Sequence, residues 1–244
     1  MTINQSALNP NTKGVSSAPV IVKENRYFPT QVFSHELPND MAKGLNTRLL
    51  TSIRAERNSD RKGIQRSNFR ALGGWHSHNK LHEDPRYEEV VSLVDACSDE
   101  IINLNGYHPG YRFKIGTMWS IINPPGSSNR SHIHPSSNWS GVYYVQCPKD
   151  SGSIDFTDPR TENLINPMRH IPNRKRPNSC WTKVNFEPLA GKLLIFPSWL
   201  YHSVAPNLST EKGNAGERVI ISFNLNQVRR PKQQDSEGAE ADQA

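Results

Sequence analysis

The sequence predicts a mainly β, α+β fold: a jelly roll or sandwich of short strands buttressed by two N-terminal helices. Three observations carry this. From Gly110 onward, short β-rich runs alternate with clusters of Pro, Gly, Asn and Ser, the pattern of an all-β core with frequent turns. Helical periodicity is confined to the first half and precedes the strands, so the alternating layers of a Rossmann-type βαβ fold are excluded. Only 34% of the 244 residues are hydrophobic, with 15 glycines beside them, whereas an average globular domain is roughly 45–50% apolar. That composition allows one thin core wrapped in long polar loops.

Each element follows in order. Residues 1–18 are polar and without periodicity and are expected to form a disordered leader. The support region 19–110 opens with a helix over 38–57, PNDMAKGLNTRLLTSIRAER, in which Asp40 can cap the first turn and Met41, Leu45, Leu49 and Ile53 form the apolar stripe. A second helix is expected over 85–104, with Pro85 at its first position, acidic residues near its start, and Val90, Val94, Cys97 and Ile101 as its stripe. Gly106 stops it. The core, 111–227, holds eight expected strands at 111–122, 130–134, 140–147, 152–156, 180–186, 192–196, 201–205 and 218–225. Residues 228–244 carry a basic block and then an acidic one, and are expected to be a disordered tail.

Several function classes fall away. No stretch approaches the roughly 18 consecutive apolar residues of a membrane span. The N-terminus lacks the charged and apolar regions of a secretory signal, so none is expected. Cys97, Cys147 and Cys180 are odd in number and widely spaced, without a CxxC pair. They predict no disulfide framework and no cysteine zinc ribbon, and fit a reducing, cytoplasmic compartment. The net charge of +6 is modest and reads first as a solvated basic surface, with nucleic acid or another acidic partner as the less favoured use. There is no glycine-rich phosphate loop and no nucleophile elbow.

The nine histidines are unevenly spread. In Ser131-His132-Ile133-His134-Pro135, two histidines at i and i+2 on a strand point to one side and can share an ion such as Fe, Zn, Cu or Ni. His202 follows a Pro-Ser turn on a later strand and can complete a three-ligand face. Arg218 opens the last strand and shares a face with Ile220, Ser222 and Asn224. An inward arginine among apolar neighbours needs an anion, because a buried unpaired charge is costly. Alternatively it sits exposed at the strand end or paired with Glu217. Trp75-His76-Ser77-His78 with His82 forms another histidine cluster, read first as a surface loop and then as a second metal site or a loop over the substrate. Residues 160–176 form a basic insertion whose Arg160, Arg169, Arg174, Lys175 and Arg176 either meet an acidic substrate or nucleic acid, or are simply solvated. Trp139, Tyr143, Trp199 and Tyr201 are expected to frame the mouth of the site.

The order H-x-H, two hairpins, a distal histidine and an arginine on the following strand resembles the iron(II)/2-oxoglutarate-dependent oxygenases, which are built on a double-stranded β-helix, the jelly roll of the cupins. The segment Trp119–Asn224 is similar more particularly to a subfamily found in bacteria and phages. The similarity runs through MWSIINPPGSSNRSHIHPSSNWSGVYYVQCP, GSIDFTDPR, LAGKLLIFPSWLYHSVAPN and ERVIISFNL, with LGGWHSHNKL as a further piece. The resemblance implies an Fe(II)- and 2-oxoglutarate-dependent dioxygenase, a hydroxylase that uses O2 and releases succinate. It implies His132 and His202 as metal ligands and Arg218 on the outer carboxylate of 2-oxoglutarate, with Ser222 or Tyr143 helping and Asn123 facing the cosubstrate. For the primary substrate it points to a protein or peptide side chain.

Position 134 departs from the pattern, since most of these oxygenases have Asp or Glu there. Three readings stay open: His134 is the third ligand, Asp155 or Asp158 swings in, or water fills the place. A neutral third ligand would leave the iron one unit more positive. Two other functions compete. One is a cupin-like three-His oxygenase that does not use 2-oxoglutarate, for which Arg218 would be dispensable. The other is a non-catalytic jelly-roll module, such as a phage structural protein.

Overall fold

The computed structural model describes residues 22–64, 74–160, 165 and 168–231. The expected leader, and the expected tail from 232 on, lie outside the described residues. The chain divides into two units, Met1–Thr30 and Gln31–Ala244. Residues 22–30 of the first hold no helix or strand.

The second unit begins with strand β1 (Phe33–Glu36), helix α1 (Asn39–Ser59) and strand β2 (Trp75–His76). Two 3-10 turns, Leu81–Glu83 and Pro85–Tyr87, lead into helix α2 (Glu88–Asn105). The remaining strands are β3 (Tyr111–Asn123), β4 (Asn129–His132), β5 (Trp139–Gln146), β6 (Ile154–Thr157), β7 (Lys183–Phe186), β8 (Lys192–Pro197), β9 (His202–Val204) and β10 (Arg218–Arg229). They pair antiparallel into a six-stranded sheet, β1-β8-β5-β10-β3-β2, and a four-stranded sheet, β4-β9-β6-β7. This is the expected jelly roll, a double-stranded β-helix, with both helices on the outer face of the larger sheet. Among the described residues no helix is long and apolar enough to cross a membrane.

The larger sheet is buried on both faces, and alternation along its strands sorts the side chains. Val219, Ile221, Phe223 and Leu225 of β10 join Leu49 and Ile53 of α1 and Val90 and Val94 of α2 in a helix-side core. The last four are fully buried, each contributing roughly 1.5–3 kcal/mol relative to exposure. Between the sheets, Ile220, Trp119, Ile121, Val142 and Tyr144 meet Ile154, Phe156, Phe196 and Leu200 in a second core. The Arg218, Ile220, Ser222, Asn224 face is therefore the one turned into the β-helix, as the period of two required.

Some expectations need correction. No side chain caps α1: Pro38 precedes it and Asp40 lies in its first turn. Met41 is 59% exposed, and Ala42 and Asn46 take its place on the buried face. On α2, Val90, Val94 and Ile101 are buried with Ser98 and Ile102, while Cys97 is only half-buried. Asp84 caps the turn at Pro85 through its side chain, and Gly106 ends α2 in the left-handed region as expected. Cys180 lies in a 3-10 turn before β7. The last strand runs to Arg229, two residues past the 227 boundary. The edge strands β1 and β2 were not foreseen.

Candidate metal centre

The site is built where the two sheets approach at one end. His132 is the last residue of β4 and His202 the first of β9, and the register pairs them directly, with ring centroids 4.3 Å apart. His134 lies just beyond β4. Its backbone N–H donates to the Ser198 carbonyl at 2.9 Å, which turns the chain back and brings its Nε2 to 3.2 Å from His202 Nε2. One ligand nitrogen from each of the three histidines falls within 4.8 Å of the others, and no other such cluster occurs among the described residues.

Protonation is set by the backbone. His202 Nδ1 lies 2.9 Å from the Leu200 carbonyl, and His132 Nδ1 lies 2.7 Å from the Arg130 carbonyl. A carbonyl only accepts, so both Nδ1 atoms carry the proton and both Nε2 lone pairs are left for an ion. Burial first, and then the neighbouring His132 and His134, push the His202 pKa down to about 3. It is thus neutral at physiological pH, as a ligand must be. Three converging imidazoles fit Fe, Zn, Cu or Ni.

His134 is held by more than its own amide. Thr117 Oγ1 accepts from Asn224 Nδ2 at 3.0 Å, Asn224 Oδ1 accepts from Ser140 Oγ at 2.8 Å, and Ser140 Oγ lies 2.7 Å from Ser198 Oγ. This chain crosses β3, β10 and β5 and ends on the residue whose carbonyl holds His134. On the other side of His134, Trp119 stacks at 5.9 Å between ring centroids, and buried His76 stacks on Trp119 at 5.6 Å. His76 was missed as a neighbour of the site. Its signal, a histidine beside Trp75 on a two-residue strand, is too short to show which way it faces.

The two fallback carboxylates do not join the cluster. Asp155 lies between Ile154 and Phe156, which both face the inter-sheet core, so it points to the opposite face and pairs with Lys183 at 2.7 Å. Asp158 receives Arg160 Nε and Nη2 at 2.9 and 3.1 Å. The histidine cluster near residue 78 also separates: His76 is buried in β2, whereas His78 lies 3.4 Å from Glu56.

Arg218 is 1% exposed. Its Nη1 donates to the carbonyls of Ser151, Gly152 and Ala205. Its Nε and Nη2 are buried without a partner. Burial lowers its pKa, with Tyr144 and Cys147 opposing, yet a guanidinium stays charged. Two unpaired donors on a buried cation can receive a carboxylate, by the bidentate fork. Asn123 stands directly opposite Arg218 in the sheet register and is buried, its Oδ1 also unpaired. Ser222 lies on the same inward face of β10. Tyr143 does not: it belongs to the helix-side core, where its hydroxyl donates to Asn46 Oδ1 at 2.8 Å. The tyrosine turned inward is Tyr144, opposite Ile220. Trp139 is likewise in the helix-side core, so of the aromatics expected at the mouth only Trp199 and Tyr201 are half-exposed.

Residues 117–224 match the family described as "Putative 2OG-Fe(II) oxygenase". No curated protein matches the sequence. Among solved structures, the chain is similar to the non-heme α-ketoglutarate-dependent epimerase SnoN from nogalamycin biosynthesis, at 12% identity and a TM-score of 0.55, covering 86% of this chain and 85% of that one. A second SnoN structure, in complex with Fe3+, α-ketoglutarate and nogalamycin RO, aligns at 13% identity and a TM-score of 0.55 over 86% and 88% of the two chains. A prolyl-4-hydroxylase from Pseudomonas putida aligns at 17% identity and a TM-score of 0.51, over 82% of this chain and 94% of that one. At these identities the structures establish the fold.

Proposed function

We propose, on the match of residues 117–224 to a 2OG-Fe(II) oxygenase family model, that the protein is a hydroxylase of that kind, that His132, His134 and His202 hold the iron, and that Arg218 binds the outer carboxylate of 2-oxoglutarate. One observation carries the reading: three converging imidazole nitrogens share the β-helix interior with a buried arginine that keeps two unpaired donors. The arginine also separates this reading from a three-His oxygenase that does not use 2-oxoglutarate, which has no need of a buried carboxylate receptor.

Iron held by His132, His134 and His202 would supply the oxidising chemistry of hydroxylation, with O2 as the oxidant and with 2-oxoglutarate consumed to succinate and CO2. The chain's own residues do the rest. The Leu200 and Arg130 carbonyls fix the tautomers of His202 and His132. Trp119 and the Ser198 carbonyl fix His134. Arg218 orients the cosubstrate by its fork, and the apolar inter-sheet core excludes water around the charge it holds, which strengthens that contact. Three half-buried cysteines outside any disulfide fit work in a reducing compartment, and the cytoplasm is the proposed location.

The test is an anaerobic titration of Fe(II)-loaded protein with 2-oxoglutarate, read by the weak visible charge-transfer band of the chelate. Wild type is expected to develop the band. Arg218→Leu is expected to retain iron and to need at least tenfold more 2-oxoglutarate. Full iron retention in both His132→Ala and His202→Ala would sink the ligand assignment. An unchanged titration in Arg218→Leu would move the protein to the class without 2-oxoglutarate.

A further inference from the structure

The insertion between β6 and β7 gathers charge that the metal centre does not use. From residue 163 to 182 the sequence has Arg169, Arg174, Lys175 and Arg176 and no acid. Arg174, Lys175 and Arg176, with His170, Ile171 and Trp181, line a wide, solvent-open cleft. The Arg176 guanidinium sits over the Trp181 ring, 4.8 Å from its centroid. Trp181 is 44% exposed and Ile171 64% exposed. Like charges repel, and an indole left half in water forgoes its burial.

The strands place the ends of this insertion near His202. Thr157 of β6 pairs with Lys183 of β7, and Phe156 pairs with His202. Thr157 N–H donates to the Tyr201 carbonyl and Asp158 N–H to the Thr182 carbonyl, each at 2.9 Å. The insertion therefore springs from the sheet end at which His202 sits, next to half-exposed Tyr201 and Trp199.

We propose that the cleft binds a nucleotide, its base stacked on the Arg176–Trp181 pair and its phosphate held by Arg174 and Lys175, and that nucleotides are the substrate class of the three-His centre. The second clause rests on the oxygenase reading; the first does not. A phosphate meets the clustered cations and a flat base covers the exposed ring, the combination by which single strands are bound. An acidic peptide would meet only the charge. The same chemistry comes from a free mononucleotide or from a single strand, and the two are separated below.

The test is fluorescence anisotropy of a short labelled oligothymidylate with the full chain, without added iron or 2-oxoglutarate, competed by thymidine monophosphate and by polyglutamate. Oligothymidylate is expected to bind, and polyglutamate to displace it poorly. Trp181→Ala is expected to weaken binding at least about fivefold, the lower end for loss of one stacked base. Reversing Arg174, Lys175 and Arg176 to Glu together is expected to weaken it more than tenfold and flatten its salt dependence. Displacement by the monophosphate at matched nucleotide concentration identifies the free nucleotide as ligand, and displacement by polymer alone identifies the single strand. Equal displacement by polyglutamate, unchanged binding in a Trp181→Ala protein of wild-type melting temperature, or no binding of either nucleotide probe overturns the proposal. The 2-oxoglutarate titration above, repeated on the loop variants, is expected to be unaltered. Its failure in wild type would count against the oxygenase reading and leave the cleft's ligand to the anisotropy.

Discussion

At the scale of single residues, the site separates what a side chain is from where it points. The placement of His132, His202 and Arg218, the two histidines paired across strands and the arginine buried, was legible because residue type, order and the period of two all agreed. Tyr143 was misread for Tyr144 because β5, WSGVYYVQ, is buried on both faces, so no polar residue marks the outward side. The two tyrosines accordingly predict different phenotypes. Tyr143→Phe strips a partner from buried Asn46 and is expected to cost about 1–3 kcal/mol in denaturant unfolding, with 2-oxoglutarate binding unchanged. His202 makes a pH prediction. Its folded pKa of about 3 lies below the roughly 6.5 of an unfolded histidine, so the unfolded chain binds the proton first. The stability this burial carries is present above about pH 6.5 and is lost as pH falls toward the folded value. Thermal melts of metal-free protein are expected to decline over that window, and His202→Gln to decline less; parallel curves would contradict it.

At the scale of elements, what was read poorly was short or sat at an end. The α1 stripe was extrapolated in steps of four from Ile53 through Leu49 and Leu45 to Met41. A turn has 3.6 residues, so each such step drifts by about 40°, and the third lands outside the face while Ala42 stays on it. The strands β1 and β2 have four and two residues, too few to show a period. Two glycines test the close approaches between elements. A Cβ on Gly141 of β5 would run into the Phe223 ring and lie 2.7 Å from the Leu194 carbonyl. Gly141→Ala is expected to destabilise by about 1–3 kcal/mol or more, as overpacking does. Gly152 has φ +90° and its Cβ would strike the Ala205 carbonyl, one of the oxygens that hold Arg218. Gly152→Ala is expected to lower stability and also to raise the 2-oxoglutarate concentration at half-saturation, whereas Gly141→Ala lowers stability alone.

At the scale of the whole molecule, composition had already indicated a thin core. The structure divides that core into two layers around one sheet, and only the inner layer surrounds the site. The position of the basic insertion was not legible, because it depends on β6 pairing with both β7 and β9 across long stretches of chain. Among the described residues Cys97, Cys147 and Cys180 form no disulfide. Added reductant is therefore expected to leave the melting temperature unchanged, and a fall on reduction would show a crosslink that this fold does not contain.

The hydrogen-bond chain from Thr117 through Asn224 and Ser140 to Ser198 has a consequence in time as well as in space. The His134 amide lies outside every strand, where exchange with solvent deuterium is ordinarily fast. Its proton sits on a carbonyl fixed by a chain that crosses three strands of the larger sheet, so it opens only when those strands do. Its exchange is expected to be as slow as that of the β10 amides, and Asn224→Ala to release it while the β4 amides keep their own rate.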